Sequence, residues 1–221
     1  MQNSGFHGDK KKAPDSIFFK YEKRLVNKYV DNVPKWLETY HLTYMTLLWS
    51  LLIVLFGALA SKNLHWLWLV SLMIVFQYIT DLFDGAVGRY RNTGLIRWGY
   101  YMDHFLDYIF LCSILIAYSF ILPDRFDYML FFVLAMFGGF MVNAYLAFGA
   151  TNEFRIHYLR IGPTEIRLLF IVINTLLILF GKTYMAMALP YVLVFSVLGL
   201  LYVVYKTQKE IWAVDMQNKK K

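Results

Sequence analysis

A chain of 221 residues is long enough for one soluble domain, but 59% hydrophobic residues against 17% charged, with a mean hydropathy of +0.46, exceed what a globular domain carries. The bilayer is therefore the expected solvent. A net charge of +7 suits nucleic acid and an anionic membrane surface equally, so its distribution has to decide between them.

In chain order, Met1 to Lys12 is polar and ends in three lysines with no apolar run and cleavage site behind it, so it reads as a basic tail and not as a removable signal. From Asp15 to Val30 the apolar residues Ile17, Tyr21, Leu25 and Tyr29 recur every four positions, while Lys20, Lys23, Arg24 and Lys28 mostly take other faces. That spacing predicts an amphipathic helix, over residues 13–33, lying in the membrane surface. Beyond Pro34, apolar stretches of the length a bilayer demands, about 20 residues each, alternate with short polar breaks. Six spans are predicted: Thr43–Ala60, His65–Asp84, Trp98–Ile121, Tyr128–Phe148, Pro163–Phe180 and Tyr184–Tyr205. Tyr40, Tyr44, Trp66, Trp98, Tyr101 and Tyr205 stand near their ends, where amphipathic rings sit at headgroup level. Asn143 and Asn174 fall within spans and are expected to hydrogen-bond between helices. The lone cysteine, Cys112, lies in an apolar run and excludes both an intrachain disulfide and a cysteine metal site. The reading is thus an all-α bundle of six transmembrane helices over residues 34–206, preceded by the interfacial helix and followed by a basic cytoplasmic tail, 207–221.

Six spans put both termini on one side. Of the 22 lysines and arginines, all but Lys62, Arg125 and Lys182 fall on that side, as expected where the basic side faces the cytoplasm. The charge then orients the chain and meets anionic lipid; no nucleic-acid partner is expected.

Chemistry concentrates where the second and third spans meet. Asp81-Leu-Phe-Asp84-Gly85-Ala-Val-Gly88-Arg89 is followed, after nine intervening residues, by Gly99-Tyr-Tyr-Met-Asp103-His104-Phe-Leu-Asp107. On helices Asp81 and Asp84 share one face and so do Asp103 and Asp107, so two acidic faces can converge. An ionised aspartate inside a span costs about 2.5–3.5 kcal/mol on insertion scales, and four together repel, so the group needs cations. Oxygen ligands without cysteine, and with one nearby histidine, suit Mg²⁺ or Mn²⁺, and two such ions could hold a diphosphate. Gly85 and Gly88 remove side chains beside the acids, letting either a ligand or a neighbouring helix approach the backbone. Arg89 could grip a phosphate or serve as an interfacial anchor like Arg91 and Arg97.

This pattern resembles the CDP-alcohol phosphotransferase family, whose motif reads D-x-x-D-G-x-x-A-R, a spacer of eight or nine, then G-x-x-x-D-x-x-x-D. Asp81, Asp84, Gly85, Arg89, Gly99, Asp103 and Asp107 fall on its fixed positions, and Gly88 replaces the alanine. The resemblance covers about Val33 to Tyr205. It implies six spans, a homodimer and two divalent cations at the cytoplasmic end of the bundle. Asp81, Asp84 and Asp103 would bind the metals, and Asp107 would bind metal or take a proton from the attacking hydroxyl. His104 is the rival base or an orienting group. Gly85 and Gly99, with Gly88 and Arg89 beside them, would lie along the nucleotide of a CDP-linked alcohol donor. An alcohol oxygen of a lipid or small-alcohol acceptor would attack the phosphorus distal to cytidine and CMP would leave. Val33-Pro34-Lys35-Trp36, Asp103-His104 and Thr164-Glu165 further resemble the branch that joins phosphocholine or phosphoethanolamine to diacylglycerol. Thr39-Tyr40 departs from the Pro-Asn that many members carry before the first span.

The loop from Glu153 to Arg167 places Arg155, His157, Arg160 and Arg167 on the side of the acids, as a pocket for an anionic acceptor or lipid phosphate or as positive-inside anchors. Glu165 could join that pocket or complement the helix dipole behind Pro163. Two other functions use intramembrane acids. A prenyltransferase would carry more spans and two separated acidic motifs; a cation-coupled transporter would place its acids near mid-membrane between repeats.

Overall fold

The chain's apolar stretches all fold as helix, because backbone polar groups surrounded by lipid can be satisfied only within a helix or a closed barrel. A computed structural model describes residues 17–151 and 162–219, and among these there is no strand. A short helix, α1 (Phe19–Tyr29), leads through a 3₁₀ turn (Val30–Asn32) to six longer ones: α2 (Thr39–Ala60), α3 (Leu67–Arg91), α4 (Ile96–Ser119), α5 (Asp127–Thr151), α6 (Pro163–Phe180) and α7 (Lys182–Lys219). All six are long and apolar enough to cross a bilayer, and the chain is a multi-pass membrane protein.

Several helices overrun their predicted bounds, because hydropathy marks the lipid-facing length while helix propensity carries the backbone further into polar residues. α3 extends seven residues beyond Asp84, through Arg89 and Arg91, and stops where Asn92 takes a left-handed φ of 53°. Asparagine tolerates that region, and its amide closes on the carbonyls of Gly88 and Arg89. α7 continues well past Tyr205, so the segment expected as a tail is helical to Lys219. α1 is shorter than its predicted range. Residues 1–12, Arg155 and Arg160 lie outside the described residues.

α2 is the keystone. It packs along both α3 and α4, α6 lies against α3, and α5 pairs with α7. Gly57 permits the α2–α4 approach: a β-carbon there would stand 2.3 Å from Ala117 Cβ. The core of Ile53, Val70, Ile74, Phe110, Ile114 and Tyr118 fills the seams among α2, α3 and α4. Polar residues within the spans tie helices together, as expected for Asn174 and Asn143. Asn174 donates to Ser71 Oγ at 3.1 Å and accepts from Tyr118 Oη at 3.0 Å, and Asn143 donates to Thr207 Oγ1 at 3.3 Å.

α1 buries none of its residues, and Ile17, Tyr21, Leu25 and Tyr29 are all exposed. Its other side is held by Glu22, which accepts from Tyr78 Oη at 2.9 Å and from Thr164 Oγ1 at 2.8 Å. The connection to α2 is held by Arg91, whose guanidinium donates to the carbonyls of Val33, Pro34 and Leu37 at 2.8–3.0 Å. The sequence marks Arg91 as an interfacial anchor; here it fixes where α2 begins.

Overpacking a closed helix seam costs about 1–3 kcal/mol. Gly57→Ala should therefore lower the unfolding temperature of the detergent-solubilised protein. Gly149→Ala, where a β-carbon meets nothing within 4 Å, should leave it unchanged or raise it. Equal stability of the two variants would contradict this packing.

Candidate metal and nucleotide site

α3 and α4 run antiparallel from the short connection at residues 92–95, so register counts from that turn. Asp84 on α3 and Asp103 on α4 stand nearer the connection; Asp81 and Asp107 stand about one helical turn further from it. The two acidic faces do converge. One carboxylate oxygen each from Asp81, Asp103 and Asp107 lie within 4.8 Å of one another. Asp84 adjoins them, its Oδ2 accepting from Thr43 Oγ1 at 2.9 Å and its Oδ1 from the Gly85 amide.

Three acids with oxygen atoms this close, in a half-buried setting and with no soft ligand among them, fit a hard divalent cation. Asp84, 8% exposed and tethered to Thr43, supplies further oxygens at the edge of the group.

The positive charge already present comes from Arg167. The sequence groups it with the loop arginines as part of an acceptor pocket, but it lies inside α6, 5% exposed, with its guanidinium turned into the acids. Nη2 reaches Asp81 Oδ2 at 3.0 Å and Asp107 Oδ1 at 2.9 Å, and Nε donates to Gln77 Oε1 at 2.7 Å. Gln77 continues the Asp81–Asp84 stripe one turn back along α3, a spacing visible in the sequence once the stripe is traced past its acids. Arg167 sets one positive charge against four carboxylates. Glu165 is also accounted for by the fold: its carboxylate accepts from the amides of Gly162 at 2.9 Å and Ile17 at 3.1 Å, capping α6 and holding the start of α1. Arg155, His157 and Arg160 lie outside the described residues.

Between α3, the connection and α4 opens a cleft of about 580 Å³. Asp84 and Asp103 reach it from one end; Gly85, Gly88, Arg89 and Gly99 line its walls, and Thr39, Thr93, Tyr100 and His104 complete them. Asp81 and Asp107 do not line it. The glycines differ in what they do. A β-carbon at Gly99 would meet nothing within 4 Å, so this wall is open. One at Gly85 would stand 3.2 Å from Arg89 Nη1, so the missing side chain lets that guanidinium fold back across the helix. One at Gly88 would stand 3.0 Å from Thr39 Oγ1, which makes Gly88 a point of close approach to α2.

His104 is tilted onto Asp103, Nδ1 to Oδ2 3.3 Å, with its ring between Tyr100 and Tyr145, and Tyr145 Oη donates to the His104 carbonyl at 3.3 Å. Thr43 and Tyr145 are site residues that local sequence patterns do not mark, since they come from other helices, Thr43 reaching Asp84 and Tyr145 the His104 carbonyl.

Removing one partner from a buried ion pair costs about 3–5 kcal/mol, because the other charge is left uncompensated. Arg167→Met should therefore lower the unfolding temperature measured in EDTA, and Mg²⁺ should restore much of the loss by neutralising Asp81 and Asp107. A variant as stable as wild type in EDTA would show that this contact contributes nothing to the fold.

The family model for CDP-alcohol phosphatidyltransferase matches residues 32–205, from the turn before α2 into α7, at the level of the family and not of a branch. Comparison with curated proteins and comparison with solved structures give no match.

Proposed function

Since the chain belongs to the CDP-alcohol phosphatidyltransferase family, a group of membrane phosphotransferases of phospholipid synthesis, we propose that it transfers a phospho-alcohol or phosphatidyl group from a CDP-linked donor to a hydroxyl acceptor. CMP is the second product. The observation that carries this reading is the convergence of four aspartates from two antiparallel helices at one end of a glycine-lined cleft.

When bound, two divalent cations, Mg²⁺ or Mn²⁺, would neutralise the diphosphate and make its phosphorus more electrophilic. The chain's own residues do the rest. Asp81, Asp84, Asp103 and Asp107 would hold those ions, with Thr43 fixing the Asp84 carboxylate and His104 the Asp103 carboxylate. Arg89, folded over Gly85, is within the cleft to grip a phosphate oxygen. Gly99 leaves its wall free for the nucleotide.

The division of the acids between two levels supports a reading of where the proton goes. In-line displacement brings the attacking oxygen in opposite the departing one. With the nucleotide in the cleft beside Asp84 and Asp103, the alcohol arrives from the level of Asp81 and Asp107, away from the connection. Asp107 is then the base that takes the hydroxyl proton, and His104, on the cleft side, orients Asp103. Arg167 positions Asp107 by holding its Oδ1. Arg155 and Arg160 are assigned to the acceptor or lipid phosphate. The basic side, with the cleft and both termini, faces the cytoplasm, two copies pair as a homodimer, and the apolar stripe of α1 lies in the headgroup layer.

Purified protein given a panel of CDP-alcohols and hydroxyl acceptors with Mg²⁺ or Mn²⁺ should form CMP and a lipid product identifiable by mass, and EDTA should stop both. Asp84→Ala and Asp103→Ala should abolish transfer while remaining folded and membrane-inserted; wild-type turnover in either would remove the metal assignment. Release of pyrophosphate would instead identify a prenyltransferase, and metal-driven ion flux in vesicles without CMP a transporter. Asp107→Asn should lose kcat by at least about a hundredfold with CMP binding retained, the range of a lost general base. His104→Gln should be milder, and the reverse ranking would move the base role to His104.

A further inference from the structure

Thr39 is the first residue of α2 and only 5% exposed, yet its Oγ1 has no hydrogen-bond partner in the protein. A buried hydroxyl left unsatisfied is costly, so such a group is expected to have a task. A threonine at a helix start ordinarily spends its hydroxyl on the first-turn backbone. Here that work is done by others: the Glu38 amide donates to His41 Nδ1 at 3.1 Å, and the Glu38 carbonyl accepts from the His41 amide at 3.0 Å. The Thr39 carbonyl accepts from Thr43 Oγ1 at 3.1 Å.

Thr39 lines the cleft, and its hydroxyl comes up against Gly88. A β-carbon at Gly88 would lie 3.0 Å from Thr39 Oγ1 and 3.4 Å from Thr93 Oγ1. Two hydroxyls, one from α2 and one from the connection after α3, therefore converge on a residue that has no side chain. Arg91 ties the segment before α2 to the end of α3 beside them. Gly88 is one helical turn beyond Asp84 on the side away from Asp81. A donor whose diphosphate sits at the acids presents its ribose next along the cleft, and a ribose offers a vicinal diol that both donates and accepts hydrogen bonds.

We propose that Thr39, assisted by Thr93, binds the ribose diol of the cytidine nucleotide, an inference that rests on the donor-binding reading of the cleft. The hydroxyl pair sets the tightness of the donor and the preference for a ribonucleotide, and takes no part in the proton transfer at Asp107.

The test is calorimetric titration of the purified full-length protein, with Mg²⁺, using CMP and 2′,3′-dideoxy-CMP. Thr39→Val should weaken CMP about five- to tenfold, the loss of one hydrogen bond, and leave dideoxy-CMP unchanged. Thr39→Ser should bind CMP as wild type does, and the unfolding temperatures of all three proteins should agree. In turnover, Thr39→Val should raise KM for the donor and keep kcat. Equal weakening of both nucleotides by Thr39→Val would make the residue merely structural and overturn the inference, as would unchanged CMP binding. Failure of the wild-type protein to bind either nucleotide would instead defeat the donor-binding reading itself, and this inference with it.

Discussion

Four carboxylates held together within the membrane-spanning part of a protein repel one another and have lost most of their water, so the structure around them is organised by the need for positive charge. Arg167 answers part of that need from α6, bridging Asp81 and Asp107. Asp84 and Asp103, which pair with no arginine among the described residues, are the two that open on the cleft. The protein's own cation thus serves the deeper pair, and the pair facing the cleft meets whatever enters from outside. A buried cluster of this kind is a poor way to stabilise a fold, since well-packed apolar residues would do so at lower cost. Its presence among helices otherwise built from leucine, isoleucine and phenylalanine is an argument for chemistry.

The geometry that brings the acids together depends on a helix that carries none of them. α2 packs along α3 and α4 and holds them at a spacing that leaves a cleft at their joined ends. Gly57 against Ala117 closes one seam of that arrangement, and Gly88 against Thr39 sets the other at the level of the cleft. Arg91 and Glu22 then fasten the segment before α2 and α1 itself, so α1 is joined by hydrogen bonds to α3 and α6, the helices that carry Asp81, Asp84 and Arg167. The same Thr164-Glu165 pair that resembles one branch of the family serves here to hold α1 and to cap α6.

Two levels of acid along antiparallel helices give the site a direction. On one side lie the glycines, Arg89 and the hydroxyls of Thr39 and Thr93, a polar surface suited to a nucleotide. On the other lie Asp107, Arg167 and Gln77. A displacement reaction needs such a polarity, because the group that arrives and the group that leaves must occupy opposite ends of one line.

Much of this was legible along the chain. Hydropathy and charge bias define six spans, because a bilayer imposes its thickness and its inside-outside asymmetry on every segment separately. The intervals between Asp81 and Asp84 and between Asp103 and Asp107 define two acidic faces, because helical periodicity is local. What the chain order does not contain is which distant residues face those acids. Arg167 reads as one more basic residue of a loop, and only the packing of α6 on α3 turns it inward. Thr43 reads as an ordinary residue at the start of a span and Thr39 only as a departure from the family's Pro-Asn; the crossing of α2 over α3 sets one on Asp84 and the other over Gly88. Periodicity fixes the face of a helix, whereas the partner of that face is chosen by tertiary packing, and at this site the partners supply the countercharge and the hydroxyls.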